Sequence, residues 1–205
     1  MAIIYQKGDL FARDVCYGDL IIHVVNDINR MGSGFVVPLM KRYPHVRPAY
    51  HRWFEFPDDN HVAIPSWKVH KEQYEQWMNA QLRMELPRVE WSRSHPHLYG
   101  FNYLTSGKPE LGNVQFVFTD NELGSVWVAN MMAQKGVIGK DNPHPLCYDA
   151  LESCLKHVVD FMRQTPGRKI VAPKLGAGLA GGDWNRITEI IENVFENRDI
   201  TVYEL

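Results

Sequence analysis

Cysteine is scarce in this chain: its 205 residues include three, Cys16, Cys147 and Cys154. An odd number, without metal-site spacing, excludes a disulfide framework and points to reduced thiols, as in a cytoplasmic protein. Long apolar runs are also lacking. The longest, around Leu20 to Val25, falls far short of the roughly 20 residues needed to cross a bilayer, so no membrane partner is expected. The first residues, Met1-Ala2-Ile3-Ile4-Tyr5-Gln6-Lys7, lack the apolar core of a secretion signal. Net charge is almost absent at −2, which removes any long-range pull toward nucleic acid or an anionic membrane. No internal repeat and no low-complexity segment occurs. What remains, 45% hydrophobic and 22% charged residues, is the composition of a globular chain long enough to bury a core. A single domain over 1–205 is expected, with an inserted or extended segment at about 60–113.

One construction is present twice. An apolar strand runs into a glycine-rich turn, and the turn opens into an amphipathic helix. The first copy is Leu20 to Asn26, then Arg30-Met31-Gly32-Ser33-Gly34, then a helix from Phe35 to Arg42. The second is Lys169 to Pro173, then Gly176-Ala177-Gly178-Leu179-Ala180-Gly181-Gly182, then a helix from Trp184 to Phe195 with Asp183 as its N-cap. Backbone N–H groups at a helix start attract anions, and glycine lets an anion approach. Two such loops predict a ligand with two phosphates, or a phosphate and a sugar.

Around these units the pattern predicts strands at Ile3 to Gln6, Val114 to Phe118, Ser125 to Asn130 and Ile200 to Tyr203. Helices are predicted at His45 to Phe54, Lys71 to Glu85 and Leu146 to Arg163. In the last, Leu151, Leu155, Val158 and Met162 form a core-facing stripe. Residues 92–97 and 105–109 read as loops. Alternating strands and helices predict an α/β fold: a three-layer α/β/α sandwich with a central mixed, mostly parallel sheet. Gly176 to Gly181 also matches the G-x-G-x-x-G dinucleotide fingerprint, but only one strand follows it, too few for a dinucleotide fold built on this loop. His95-Pro96-His97, His51, His61 and His70 lack the spacing of a ligand set, and no metal or other cofactor is expected.

The ordered set Gly8-Asp9-Leu10, Asn26 with Gly32-Ser33-Gly34-Phe35, Arg42-Tyr43-Pro44, Val126-Trp127-Val128-Ala129-Asn130, and Pro173-Lys174-Leu175-Gly176-Ala177-Gly178-Leu179 resembles the macro domain. Within that family it is similar to the branch containing terminal ADP-ribose protein glycohydrolases and fungal ADP-ribose-1″-phosphate phosphatases. The resemblance covers residues 1–56 and 114–205.

The resemblance implies ADP-ribose or ADP-ribose-1″-phosphate as ligand, and ADP-ribosylated protein or nucleic acid as further partners. Asp9 and the Leu10 amide would meet adenine, with Tyr203 bordering it, although Gly-Asp is also ordinary turn chemistry. Asn26 would hold the distal ribose, or act as a strand-end cap. Met31, Gly32, Ser33, Gly34 and Phe35 would wrap the diphosphate from one side. Leu175, Gly176, Ala177, Gly178, Leu179, Ala180 and Gly181 would do so from the other.

The lysine and aspartate of the glycohydrolase branch correspond to Met131 and Ala180, which argues against a lysine-linked mechanism. Lys135, Lys140 and Lys174 lie nearby, but no spacing selects one. His23 stands where the fungal phosphatases have histidine, and it and Asp183 are the candidate catalytic groups. Each has a structural alternative, a buried strand histidine and a helix cap. The expected activity is hydrolysis of ADP-ribose-1″-phosphate; de-ADP-ribosylation and non-catalytic reading of ADP-ribose are the alternatives.

Overall fold

The strand Leu20–Asn26 carries apolar residues on both faces because it lies in the middle of the sheet, where both faces are covered. In the computed structural model, which describes residues 2–11, 18–58, 102–121, 124–165 and 167–204, it is one of seven strands. These are β1 (Ile3–Lys7), β2 (Leu20–Asn26), β3 (Asn102–Thr105), β4 (Val114–Asn121), β5 (Gly124–Gln134), β6 (Ile170–Pro173) and β7 (Ile200–Glu204). Their order is β1-β7-β6-β2-β5-β4-β3. The first five in that order are mutually parallel, and β4 and β3 join antiparallel. The predicted mixed, mostly parallel sheet is what forms.

Four helices accompany it among the described residues: α1 (Val36–Arg42), α2 (Val46–Glu55), α3 (Tyr148–Gln164) and α4 (Trp184–Phe195). Side-chain alternation along β2 and β5 assigns them to two faces. Leu20, Ile22, Trp127, Ala129 and Met131 point to one core with Leu151, Leu155 and Val158 of α3 and Ile187 and Ile191 of α4. Ile21, Val128 and Val171 point the other way, to Leu39 of α1 and Val46 of α2. The result is the three-layer α/β/α sandwich. The expected stripe of α3 is buried along its length. On α4, Ile187 and Ile191 are buried, while Ile190 and Val194 are partly covered.

Two boundaries differ from expectation for identifiable reasons. β5 continues to Gln134 because Met131 and Met132 pair with Val24 and Val25 of β2. α3 starts at Tyr148 rather than Leu146 because the preceding residues are used as extended backbone. The Leu146 N–H donates to the Ala180 carbonyl at 3.0 Å and the Cys147 N–H to Ala133 at 2.8 Å. β3 was not anticipated; it is a four-residue edge strand whose Tyr103 packs under Ala49 and Val117. The helix expected at Lys71 to Glu85, the loop at 92–97, His61, His70 and Cys16 lie outside the described residues. No helix of the described residues is long and apolar enough to cross a membrane.

Candidate functional site

Parallel strands β6, β2 and β5 end side by side at Pro173, Asn26 and Gln134. Ligands of open α/β sheets collect at such carboxyl ends, where successive connections leave in opposite directions along the sheet. Here β5 lies on one side of β2, and the chain crosses to β6 on the other. A cavity of about 960 Å³ opens at this point, walled by 29–36, by 173–176 and 178–180, and by Arg47 and His51 of α2.

The first loop is fastened by the residue that ends β2. The Asn26 carboxamide oxygen accepts from the Ile28 N–H at 3.2 Å and the Arg30 N–H at 3.1 Å, and its Nδ2 donates to the Arg30 carbonyl. The Tyr50 hydroxyl donates to the Asn26 backbone carbonyl at 2.6 Å. Asn26 thus acts as the strand-end cap, and Asn29 takes a left-handed φ of 57° to close the turn. The two loops touch: a Cβ on Gly34, whose φ is +69°, would sit 2.9 Å from Cδ1 of Leu179.

What these loops offer a ligand is backbone. The N–H groups of Met31, Gly32, Ser33, Gly34 and Phe35 donate to no protein acceptor among the described residues. The same holds for Leu175, Gly176, Gly178, Leu179 and Ala180. Groups of this kind need a partner, which an anion or water supplies. No carboxylate is among the described residues lining the cavity, whereas Arg30, Arg47 and Lys174 are. Lys174 already pairs with Glu204 at 2.7 Å, so Arg30 and Arg47 are the cations left over.

The start of α4 already holds an acceptor of its own. Asp183 places its own carboxylate on the start of α4, accepting from the Asn185 N–H at 2.9 Å. Its carboxylate is exposed and does not line the cavity. At the other loop, α1 has only seven residues and begins after Phe35. The loops supply the donors.

His23 lines the cavity at only 2% exposure. Its Nε2 lies 2.7 Å from Oδ1 of Asn130, its register partner on β5. Asn130 Nδ2 donates to Oε1 of Gln115, the next register partner on β4, at 2.9 Å, and Gln115 Nε2 donates to the Ala49 carbonyl at 2.8 Å. The chain fixes the protons. The Ala49 carbonyl can only accept, so Gln115 presents Oε1 to Asn130, and Asn130 presents Oδ1 to His23. Nε2 therefore carries hydrogen and Nδ1 carries the lone pair. Burial holds the imidazole neutral, pushing its pKa down to about 4 against the weaker help of the Asn130 bond. Nδ1 has no partner among the described residues.

Among the expected site residues, His23, Asn26, Met31, Gly32, Ser33, Gly34 and Phe35 come together around the cavity with Leu175, Gly176, Gly178, Leu179 and Ala180. Others do not line it. Asp9 caps its own turn, accepting from the Phe11 N–H at 2.9 Å. Leu10 and Tyr203 are buried in the cluster with Phe11, Phe35 and Tyr43, and the Tyr203 hydroxyl lies 3.1 Å from Gln6 Oε1. Ala177 packs against the core, and the Gly181 N–H closes the turn onto Gly178. Met131 is buried in the core, and Lys135 and Lys140 are exposed outside the cavity. No group of three or more potential metal ligands occurs among the described residues.

Sequence reasoning missed Asn29, Arg30, Arg47 and His51, as well as Val137 and Ile138, all of which line the cavity. A usable signal existed for two of them. Arg47 and His51 stand four apart and so share one face of α2, a face separate from its buried Ala49, Tyr50 and Trp53.

No family model and no curated protein matches the chain. Solved structures do. A protein of unknown function from Bacteroides thetaiotaomicron is 28% identical, with a TM-score of 0.65, over 100% of this chain and 99% of that one. Thermosipho africanus DarTG, solved in complex with ADP-ribose, shares the fold at 14% identity and a TM-score of 0.57, over 98% of this chain and 41% of that one. A macrodomain protein from Streptomyces coelicolor is 26% identical, with a TM-score of 0.61, over 100% of this chain and 99% of that one. With the strand order and the paired loops already in place, that last likeness gives the assignment of the fold: this chain has the macro domain fold.

Proposed function

We propose that the cavity binds ADP-ribose and that the protein hydrolyses ADP-ribose-1″-phosphate to ADP-ribose and phosphate. The observation that carries the binding is the pair of facing loops whose N–H donors have no partner, and no carboxylate beside them, among the described residues. A diphosphate between the loops would accept from both sides, at short range and without ordering flexible side chains. A fold neighbour's occupation by ADP-ribose supports the same ligand.

For the chemical step, water attacks phosphorus while the bond from phosphorus to the ribose 1″-oxygen breaks, and the proton that the water gives up passes through His23 to the departing oxygen. His23 Nδ1 is the acceptor for the proton lost by the water. The fixed Nε2–H leaves this lone pair free at neutral pH. Burial makes it a weak base; the charge of a phosphomonoester beside it acts in the opposite sense and raises its affinity for a proton. Asp183, capping α4 outside the cavity, is given no part.

That no carboxylate is among the described residues of the walls disfavours glycosidic cleavage, which ordinarily uses two. It leaves non-catalytic reading of ADP-ribose as the second possibility. The test is phosphate release from ADP-ribose-1″-phosphate by the wild type and by His23→Gln, alongside ADP-ribose affinity. The phosphatase reading expects release to collapse in the variant with affinity retained. Binding without release in the wild type would establish the reader.

A further inference from the structure

At the α2 end of the cavity, on the β5 side of β2 and away from the second glycine loop, three side chains form an ordered cluster. Arg47 Nε donates to His51 Nε2 at 3.3 Å, and His51 Nδ1 lies 2.6 Å from Asn29 Oδ1. Since Nε2 accepts, Nδ1 carries the hydrogen and donates to Asn29. His51 is held neutral in that arrangement by burial and by the Arg47 charge, which together depress its pKa. Among the described residues Arg47 is engaged only through Nε, which leaves its two terminal nitrogens available. Arg30 enters the cavity from the loop that Asn26 fastens. Neither guanidinium has an ion-pair partner among the described residues. Asp27, the nearest acid in sequence to Arg30, has its carboxylate taken by the Gly136 N–H at 2.6 Å.

We infer that Arg47 and Arg30, with His51 and Asn29 holding Arg47 in place, form a second anion subsite that receives a terminal phosphoryl group on a ligand whose diphosphate lies between the glycine loops. The inference rests on the ADP-ribose reading for the position of the diphosphate. The chemistry fits a phosphomonoester rather than a sugar hydroxyl. Two planar guanidiniums present forks of N–H donors that match phosphate oxygens, and no carboxylate among the described residues of the walls competes for them. Arg47 and His51 are therefore specificity-determining: they distinguish a ligand ending in phosphate from one ending in a free ribose.

The experiment compares ADP-ribose with ADP-ribose-1″-phosphate by calorimetric titration. It uses a His23→Gln background, so that the phosphoester is not consumed, with and without Arg30→Gln and Arg47→Gln together. The subsite predicts that the parent prefers the phosphorylated ligand by about tenfold or more, a value ordinary for charge-assisted contacts. The double substitution abolishes that preference, weakening ADP-ribose-1″-phosphate by more than it weakens ADP-ribose. A preference that survives both substitutions, or no preference in the parent, overturns the inference. Inorganic phosphate titrated against the wild type and against Arg30→Gln/Arg47→Gln gives a reading independent of nucleotide. Weaker phosphate binding in the variant upholds the subsite even if ADP-ribose itself does not bind, in which case the ADP-ribose reading fails alone. Equal binding in the two proteins, or no phosphate binding by either, overturns the subsite.

Discussion

His23 is a buried base in the folded protein and an exposed one in the unfolded chain, and that difference makes stability depend on pH. Its pKa is about 4 when folded against 6.5 for the free side chain. Between those values the unfolded chain binds a proton that the folded one does not, so unfolding is favoured by acid. The His23 contribution therefore rises as pH climbs from 4 to 6.5 and is constant above. Its full size is about 3 kcal/mol, at 1.36 kcal/mol for each unit of displacement. For a chain of this length, that corresponds to about 6 to 12 °C in Tm. The perturbation is His23→Gln, whose carboxamide can still donate to Asn130 Oδ1 but does not titrate. Urea unfolding of both proteins at pH 7 and pH 4.5 isolates the term, because carboxylates and His51 contribute equally to each. The wild type should lose about 2 kcal/mol more than the variant between these two pH values, since the titration is not complete at pH 4.5. Equal losses would refute the placement of a neutral, fully buried imidazole at this position.

Other perturbations separate binding from folding. Gly178 has open space where a Cβ would stand, so Gly178→Val should keep its Tm while losing at least about tenfold in ADP-ribose affinity by titration. Gly181 has a φ of +63°, and a Cβ there would lie 2.5 Å from the Pro143 carbonyl oxygen. Gly181→Ala should therefore lower the Tm, the left-handed backbone alone costing about 1–2 kcal/mol. Asn130→Leu breaks the relay and strands two buried groups, the His23 Nε2–H and Gln115 Oε1. Urea titration should show a loss of about 2–6 kcal/mol, at 1–3 for each unpaired group; a loss under 1 would contradict the relay.

Much of the layout could be read from the chain because burial leaves a periodic mark. β2 and α4 have the limits expected of them, one from its unbroken apolar run, the other from Asp183 followed by Ile187 and Ile191. β3 left no such mark, since four residues at a sheet edge carry too little pattern. The glycine loops were visible, and the donors belong to them, while the start of α4 holds its own carboxylate. His23 was recognisable as a lone polar residue in an apolar strand. Asn130 on β5 and Gln115 on β4 are polar residues of the same kind, and all three are almost wholly buried. Their connection depends on strand register, which brings His23 beside Asn130 and Asn130 beside Gln115. Arg47 and His51 acquire meaning only when α2 is set against the end of β2 through Tyr50 and Asn26.

The central claim is that facing loops of unpartnered N–H groups bind ADP-ribose. Calorimetric titration of the wild-type protein with ADP-ribose, with Gly178→Val titrated in parallel, tests it most directly. One-to-one binding in the micromolar range, lost in the variant at unchanged Tm, is the predicted result. No heat of binding in the wild type, or equal affinity in the two proteins, would contradict it.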